Sequence, residues 1–331
     1  MSDSISDSTQ EYTGKIKAGR RARLSNNHIL LMVLAGIFIF FTLMDRQFFS
    51  YGNMITMVKN MVLSAVIALA ITPLMIARGV DISLGSSLSF TSVVMATLYN
   101  NGVNIWLIII LGLVITTVVG FINGFMIEQF KINALLFTLG MMAILQSLAL
   151  VVSDMESILI LTDELYWFGS VKLVKVPLLV WILAVFAVIY WLMLRFSRAG
   201  RKIYAIGGDP VVANLFGIKV KKIRIVLYTL LGTVIGVATI IMVSLSGVGN
   251  PYHGLRLPLP IISAVILGGV SFMGEGTGNI PGTILGMLII SSIFNGFSVL
   301  NIPSFFIESF QGLALILVVA TYEIRDRKRR T

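Results

Sequence analysis

Ten long apolar runs dominate the sequence and leave few options for its fold. They fall at 28–44, 53–77, 84–100, 104–126, 134–153, 177–195, 223–245, 260–274, 279–299 and 304–322. An apolar run of about 18 residues spans a bilayer as a helix, because lipid offers no partner to an unpaired backbone N–H or C=O. The alternating short segments of a membrane barrel are absent. Composition agrees: 57% of the 331 residues are hydrophobic and 12% charged, whereas soluble domains carry about 25% charged residues. The chain is therefore predicted to be an all-α polytopic membrane protein of about ten transmembrane helices. It divides into a basic, disordered tail at 1–27, a membrane body at 28–322 with a long loop at 195–224, and a basic tail at 323–331. Asp45-Arg46-Gln47 follows the first run where a cleavable leader would carry small residues, so that run reads as a retained helix.

Several chemistries are excluded early. There is no cysteine, which removes disulfides, thiolate metal sites and cysteine nucleophiles. His28 and His253 are the only histidines and stand far apart in the chain. No catalytic residue and no metal site is expected. The net charge of +10 invites a nucleic-acid reading, but the distribution of charge argues for a membrane. Ten spans put both termini on one side. With that side cytoplasmic, basic residues divide twenty to four in its favour, and Lys59 lies inside a span, where its stem can snorkel outward. This is the positive-inside bias, which also places the cations beside anionic lipid headgroups. On the outer side, Asp154, Glu156, Asp163 and Glu164 gather in 154–176, either as a solvated loop or as a docking surface for an external partner.

The chain also matches itself. At an offset of 172 residues, spans 2–5 superpose on spans 7–10, and Asn123-Gly124-Phe125 falls on Asn295-Gly296-Phe297. A unit of five helices is odd, so the two copies run in opposite senses through the membrane. Inverted repeats are a transporter signature. The small-residue pairs Gly120/Gly124 and Gly232/Gly236, and Gly274, Gly278, Gly282 and Gly286 at every fourth position, let helices approach closely.

Carriers driven by ion gradients hold acidic groups at mid-membrane. Here Asp81, Glu128, Glu275 and Glu323 fall in loops or at span ends, and Glu308 lies a turn into the last span. Interior polarity comes from neutral groups: Asn60, Asn123, Thr138, Gln146 and Asn295. They suit a path for a neutral polyhydroxylated solute, and equally suit ordinary interhelical hydrogen bonds. The sequence contains no Gly-x-x-x-x-Gly-Lys-Ser/Thr phosphate loop, so an ATP-driven process needs a motor on another chain.

The 195–224 loop offers a place for that motor. Asp209 is a helix N-cap, Pro210 fits the first helical position and Gly217 fits the position after the end. Val211, Val212, Leu215 and Phe216 give this short helix an apolar face, with Ala213 between them. Two turns are unstable alone in water. The face must pack on the protein's own helix ends or on a partner.

These residues also resemble a known family. Gly200-Arg201-Lys202-Ile203-Tyr204-Ala205-Ile206-Gly207-Gly208, with Ala213, Leu215, Gly217-Ile218 and Val220, looks like the cytoplasmic loop of ribose-type ABC permeases. Gly79-Val80-Asp81-Ile82-Ser83-Leu84-Gly85-Ser86 resembles their first conserved loop. Asn123-Gly124, Lys131-Ile132, Thr138-Leu139-Gly140-Met141-Met142 and Leu267-Gly268-Gly269 followed by Gly282-Thr283 continue the match in order. The resemblance implies a multi-pass permease of the bacterial inner membrane, working as a homodimer or heterodimer. It implies two ABC ATPase subunits that bind ATP and magnesium, and a periplasmic binding protein that delivers a monosaccharide or small polyol. Residues 209–217 become the ATPase coupling helix. Three departures stand out: Asp209 for the usual Asn, Pro258-Leu259-Pro260 for the usual Glu-Leu-Asp, and an extra residue in Gly274-Glu275-Gly276-Thr277-Gly278. They suggest pairing with a more typical sister permease. The competing readings are an ion-coupled secondary transporter with inverted five-helix repeats and a membrane scaffold that transports nothing.

Overall fold

The structure is a computed structural model; it describes residues 26–174, 176–271 and 276–303, with residues 306, 309, 312 and 313 beyond them. The tails, Gly274, Glu275 and most of the span expected at 304–322 lie outside the described residues.

Helices account for most of the described chain. In order they are α1 (Asn26–Met44), α2 (Tyr51–Ile76), α3 (Leu84–Asn100), α4 (Ile105–Phe130), α5 (Ala134–Ser153), α6 (Asp163–Ser170), α7 (Leu178–Phe196), α8 (Arg198–Gly208), α9 (Pro210–Leu215), α10 (Val220–Ser246), α11 (Pro258–Leu267) and α12 (Ile280–Val299). Their starts follow local chemistry. Ser50, Asn104, Asn133, Thr162, Ser197, Asp209 and Asn279 each accept a hydrogen bond from a first-turn N–H. A cap of this kind contributes about 1 kcal/mol by satisfying an otherwise orphaned donor.

Seven of these helices are long and apolar enough to cross a membrane: α1, α2, α4, α5, α7, α10 and α12. α3 has 17 residues. Among the described residues, the span expected at 260–274 is helical up to Leu267, as part of the ten-residue α11 of about 15 Å, and turns at Gly268 and Gly269. Pro258 and Pro260 explain where it starts: proline fits a first helical turn, where its missing N–H has no partner to lose. The loop at 195–224 holds α8 as well as the expected short helix, and α10 begins three residues before its predicted start.

α2 and α10 form the centre. The apolar windows of these two helices are 61% and 56% buried, against 17% for α5 and α7, whose surfaces face outward. α10 packs on α4 through glycines: a Cβ at Gly120 would stand 2.4 Å from the Tyr228 carbonyl oxygen, and one at Gly232 would stand 2.3 Å from that of Thr116. Thr117 and Thr233 share a hydrogen bond of 3.0 Å across the same interface. α2 packs on α12, where Thr72 and Thr283 are 2.9 Å apart. Two short ribbons close one end of the bundle, β1 (Ile158–Leu159) with β4 (Val248–Gly249) and β2 (Lys172–Leu173) with β3 (Val176–Pro177). Arg78, Lys131, Arg195 and the cations of 198–224 lie at the opposite, basic end.

Candidate functional site

The expected site residues separate into three places. Asn60 and Asn295 meet in a cavity of about 220 Å³ between α2, α11 and α12. Ser64, Ser291 and Ser298 add hydroxyl groups, while Met57, Met61 and Met287 supply adaptable apolar wall. Asn295 and Asn53 hold each other through two reciprocal carboxamide bonds of 2.7 and 2.9 Å. That pair orients the Asn295 side chain at the edge of the cavity. Asn60 is exposed.

Asn123 and Thr138 belong to a different cluster, around the loop between α2 and α3. Asp81 is 2% exposed, and Ser83 and Asn123 are fully buried beside it. The Asp81 carboxylate accepts from the Ser83 N–H at 2.8 Å, the Ser83 hydroxyl at 2.6 Å and the Asn123 amide at 3.0 Å. Asn123 also donates to Ser83 Oγ at 2.9 Å, and the Thr138 hydroxyl accepts from the Ile82 N–H at 3.3 Å. Among the described residues no basic side chain pairs with Asp81. The knot fixes the entry to α3, where Gly85 lies so close to Gly254 that neither position has room for a Cβ. The motif residues Gly79, Asp81, Ser83 and Gly85 thus act together, as the last carbonyls of α2 give way to the first turn of α3. Asp81, placed by sequence in an ordinary loop, is a buried acid. Asn123→Ala removes two donors from this closed network, and its expected cost is about 1–3 kcal/mol. A thermal unfolding midpoint of the purified protein unchanged by this substitution would contradict the network's importance.

Gln146 stands apart from both groups. Its amide donates to the Pro251 carbonyl at 2.8 Å and ties α5 to the loop before α11.

The third place is the short helix at the basic end. Asp209 Oδ1 accepts from the N–H groups of Val211 at 2.7 Å and Val212 at 3.0 Å. These bonds from Val212 and Val211 hold its carboxyl below the ordinary carboxylate range, and the Arg78 charge adds to them. The charged cap is therefore complete above that range and is lost only as pH falls through the lowered value. Pro210 opens the helix, and Gly217 closes it with φ of +79°. Ala213 is buried, but Leu215 and Phe216 are 81% and 83% exposed, and Val211 and Val212 are exposed beside them. The apolar face therefore points away from the described part of the bundle.

A bundle of membrane-crossing helices with a short, exposed apolar helix at its basic end is compatible with a membrane-embedded transport subunit. The chain belongs to the family of permease components described as branched-chain amino acid transport system / permease component, whose model matches residues 53–320. It is 31% identical over 315 residues to the ribose import permease protein RbsC of Escherichia coli strain K12, covering 94% of this chain and 97% of that one. It is 30% identical over 308 residues to the L-arabinose ABC transporter permease protein AraH of Azospirillum brasilense, covering 93% and 91%. With RbsC of Bacillus subtilis strain 168 the identity is 32% over 295 residues, covering 88% and 89%. No solved structure matches the chain. The family consists of transport subunits, and the chain is a permease, not an enzyme.

Proposed function

We propose that this chain is the membrane-spanning half of an ATP-binding-cassette importer for a monosaccharide or related small polyol, seated in the bacterial inner membrane with both termini cytoplasmic. Similarity to a ribose import permease and an L-arabinose permease supports the substrate class. The observation that carries it is the cavity between α2 and α12, where carboxamides and hydroxyls are set among apolar side chains and no charged residue lines it among the described residues. Asn60 lies nine residues beyond the start of the 26-residue α2, about 14 Å along it and within its membrane-crossing length. An exposed carboxamide at that depth is costly against lipid. It is accommodated where the face lines an aqueous path or meets a second permease. Neutral hydroxyls and carboxamides are the groups that exchange hydrogen bonds with a sugar without fixing a charge. Asn60 and Asn295 line this path; Asn123, Thr138 and Gln146 lie outside the cavity, and their hydrogen bonds to Asp81 and Ser83, to Ile82 and to Pro251 favour the structural role that sequence left open for them.

Ten spans in two inverted halves remain the organising scheme. It is supported by how partners exchange at the offset of 172: α4 packs on α10 and α3, and the corresponding α12 packs on α2 and α11. α9 is the coupling helix, received by a groove in an ATPase subunit that binds ATP and magnesium. A periplasmic binding protein delivers the solute at the other end, where Asp163 and Glu164 open α6 beside exposed Tyr166 and Trp167. A second permease, identical or a sister copy, completes the path, and nucleic acid plays no part.

Asn60→Leu combined with Asn295→Leu tests the path. Losing two carboxamides that contribute about 1 kcal/mol each predicts at least a tenfold fall in uptake of ribose or L-arabinose. The ATPase should still co-purify. Unchanged uptake in the double variant would remove the cavity from the path.

A further inference from the structure

We infer that Arg78 is a positioning residue, the strap that carries ATPase movement from the coupling helix into the cavity-bearing pair α2 and α12. The inference rests on the permease reading above. It starts from a local anomaly. α2 ends in a Schellman turn: Gly79 N–H reaches the Leu74 carbonyl at 2.9 Å, and Arg78 N–H reaches that of Met75 at 3.0 Å. The residue after the C-cap of such a turn is left-handed and is usually glycine. Here it is Arg78, with φ of +66°, although a glycine follows immediately at 79. A side chain with a Cβ is disfavoured in that conformation. Where such strain persists, the surroundings hold it in place.

What holds it is the end of α8. Arg78 Nε donates to the Gly207 carbonyl at 2.9 Å, and a terminal guanidinium nitrogen donates to that of Gly208 at 2.6 Å. These are the last carbonyls before Asp209, the cap of the coupling helix. The fork binds two acceptors at once, which a lysine ammonium on a flexible stem reproduces poorly. The same junction reaches α12. Gly207 packs on the Ile76 carbonyl and on Gly276, so closely that a Cβ there would lie 2.1 and 2.5 Å from them. Tyr204 donates to the Gly278 carbonyl at 2.9 Å, next to Asn279, the cap of α12. Both cavity walls are thus anchored to α8, while Arg224 ties α10 to the end of α2 through the Ala77 carbonyl at 2.8 Å and pairs with Glu128 at 3.2 Å. A push on α9 moves α8, and the Arg78 fork passes that push to α2.

The chain has no cysteine, so introduced cysteines are the only labelled ones. With Thr56→Cys on α2 and Val118→Cys on α4, both outward-facing, spin labels report the separation of the two helices. The complex with its ATPase is measured with and without MgATP. The unaltered strap should give an ATP-dependent change in distance. Arg78→Gly, which suits the left-handed turn and removes the fork, should shrink that change by about five-fold or more, and Arg78→Lys should fall between. ATP hydrolysis and ATPase co-purification should stay within about two-fold of the parent, since α9 is intact. A full distance change in Arg78→Gly overturns the strap and leaves the permease reading standing. Loss of the ATPase from Arg78→Gly also overturns it, by making Arg78 part of docking. A parent complex with no ATP-dependent change also overturns the strap, which then has no movement to carry, while the permease reading is tested separately by ATPase-dependent uptake.

Discussion

Replacing Leu215 and Phe216 together by aspartate should separate the permease from its ATPase while leaving the bundle folded. Both side chains are more than four-fifths exposed, and neither contributes to the core. Ala213, in the same helix, is buried in the core cluster and seats α9 on the bundle. Burying a leucine and a phenylalanine in a partner groove contributes about 2 kcal/mol each, and two carboxylates in an apolar groove add a desolvation cost. About 4 kcal/mol is a thousandfold loss in affinity. The ATPase should disappear from the purified complex and uptake should cease, with the permease's thermal midpoint unchanged. Normal co-purification with the double variant would end the assignment of α9 as the coupling helix.

The largest structural effect is expected at Gly232. Leucine there would place its Cβ 2.3 Å from the Thr116 carbonyl, backbone that cannot yield without parting α10 from α4. In a membrane the close approach of small residues supplies the dispersion that holds helices together, since burial from lipid supplies little. Gly120, opposite, meets the Tyr228 carbonyl in the same way, so neither helix can slide to make room. Overpacking in a tight interface costs about 1–3 kcal/mol or more. Gly232→Leu should sharply reduce the folded permease recovered from membranes and lower its unfolding temperature. Gly36→Leu is the control, because nothing lies within 4 Å of a Cβ at Gly36. Equal behaviour of the two variants would contradict the account of the α4–α10 interface.

Features governed by local chemistry were legible in the sequence. Long apolar runs announce helices because the solvent is lipid. The short helix at 209–217 announces itself because a capping aspartate, a first-turn proline and a closing glycine act within one or two turns. The direction of its apolar face was not legible, because it depends on where α8 leads the chain. The five neutral polar residues were chosen as one group. The structure divides them, since which helices meet depends on glycine contacts such as those of Gly120 and Gly232 rather than on the polar residues themselves. Sequence places Asp81 in a loop or at a span end. Its burial depends on Asn123, 42 positions later, and no local pattern carries that. The prolines at 258 and 260, read as a departure from the family, open α11 in a way that their own chemistry explains.

The central claim is that this permease is driven by ATP through a separate chain. The most direct measurement places the purified permease with its ATPase in liposomes, with the binding protein and labelled ribose or L-arabinose on the side opposite α9. Accumulation should require MgATP on the α9 side, should persist when an uncoupler collapses ion gradients, and should vanish when the ATPase is omitted. Accumulation by the permease alone that the uncoupler abolishes would contradict the account and establish an ion-coupled carrier.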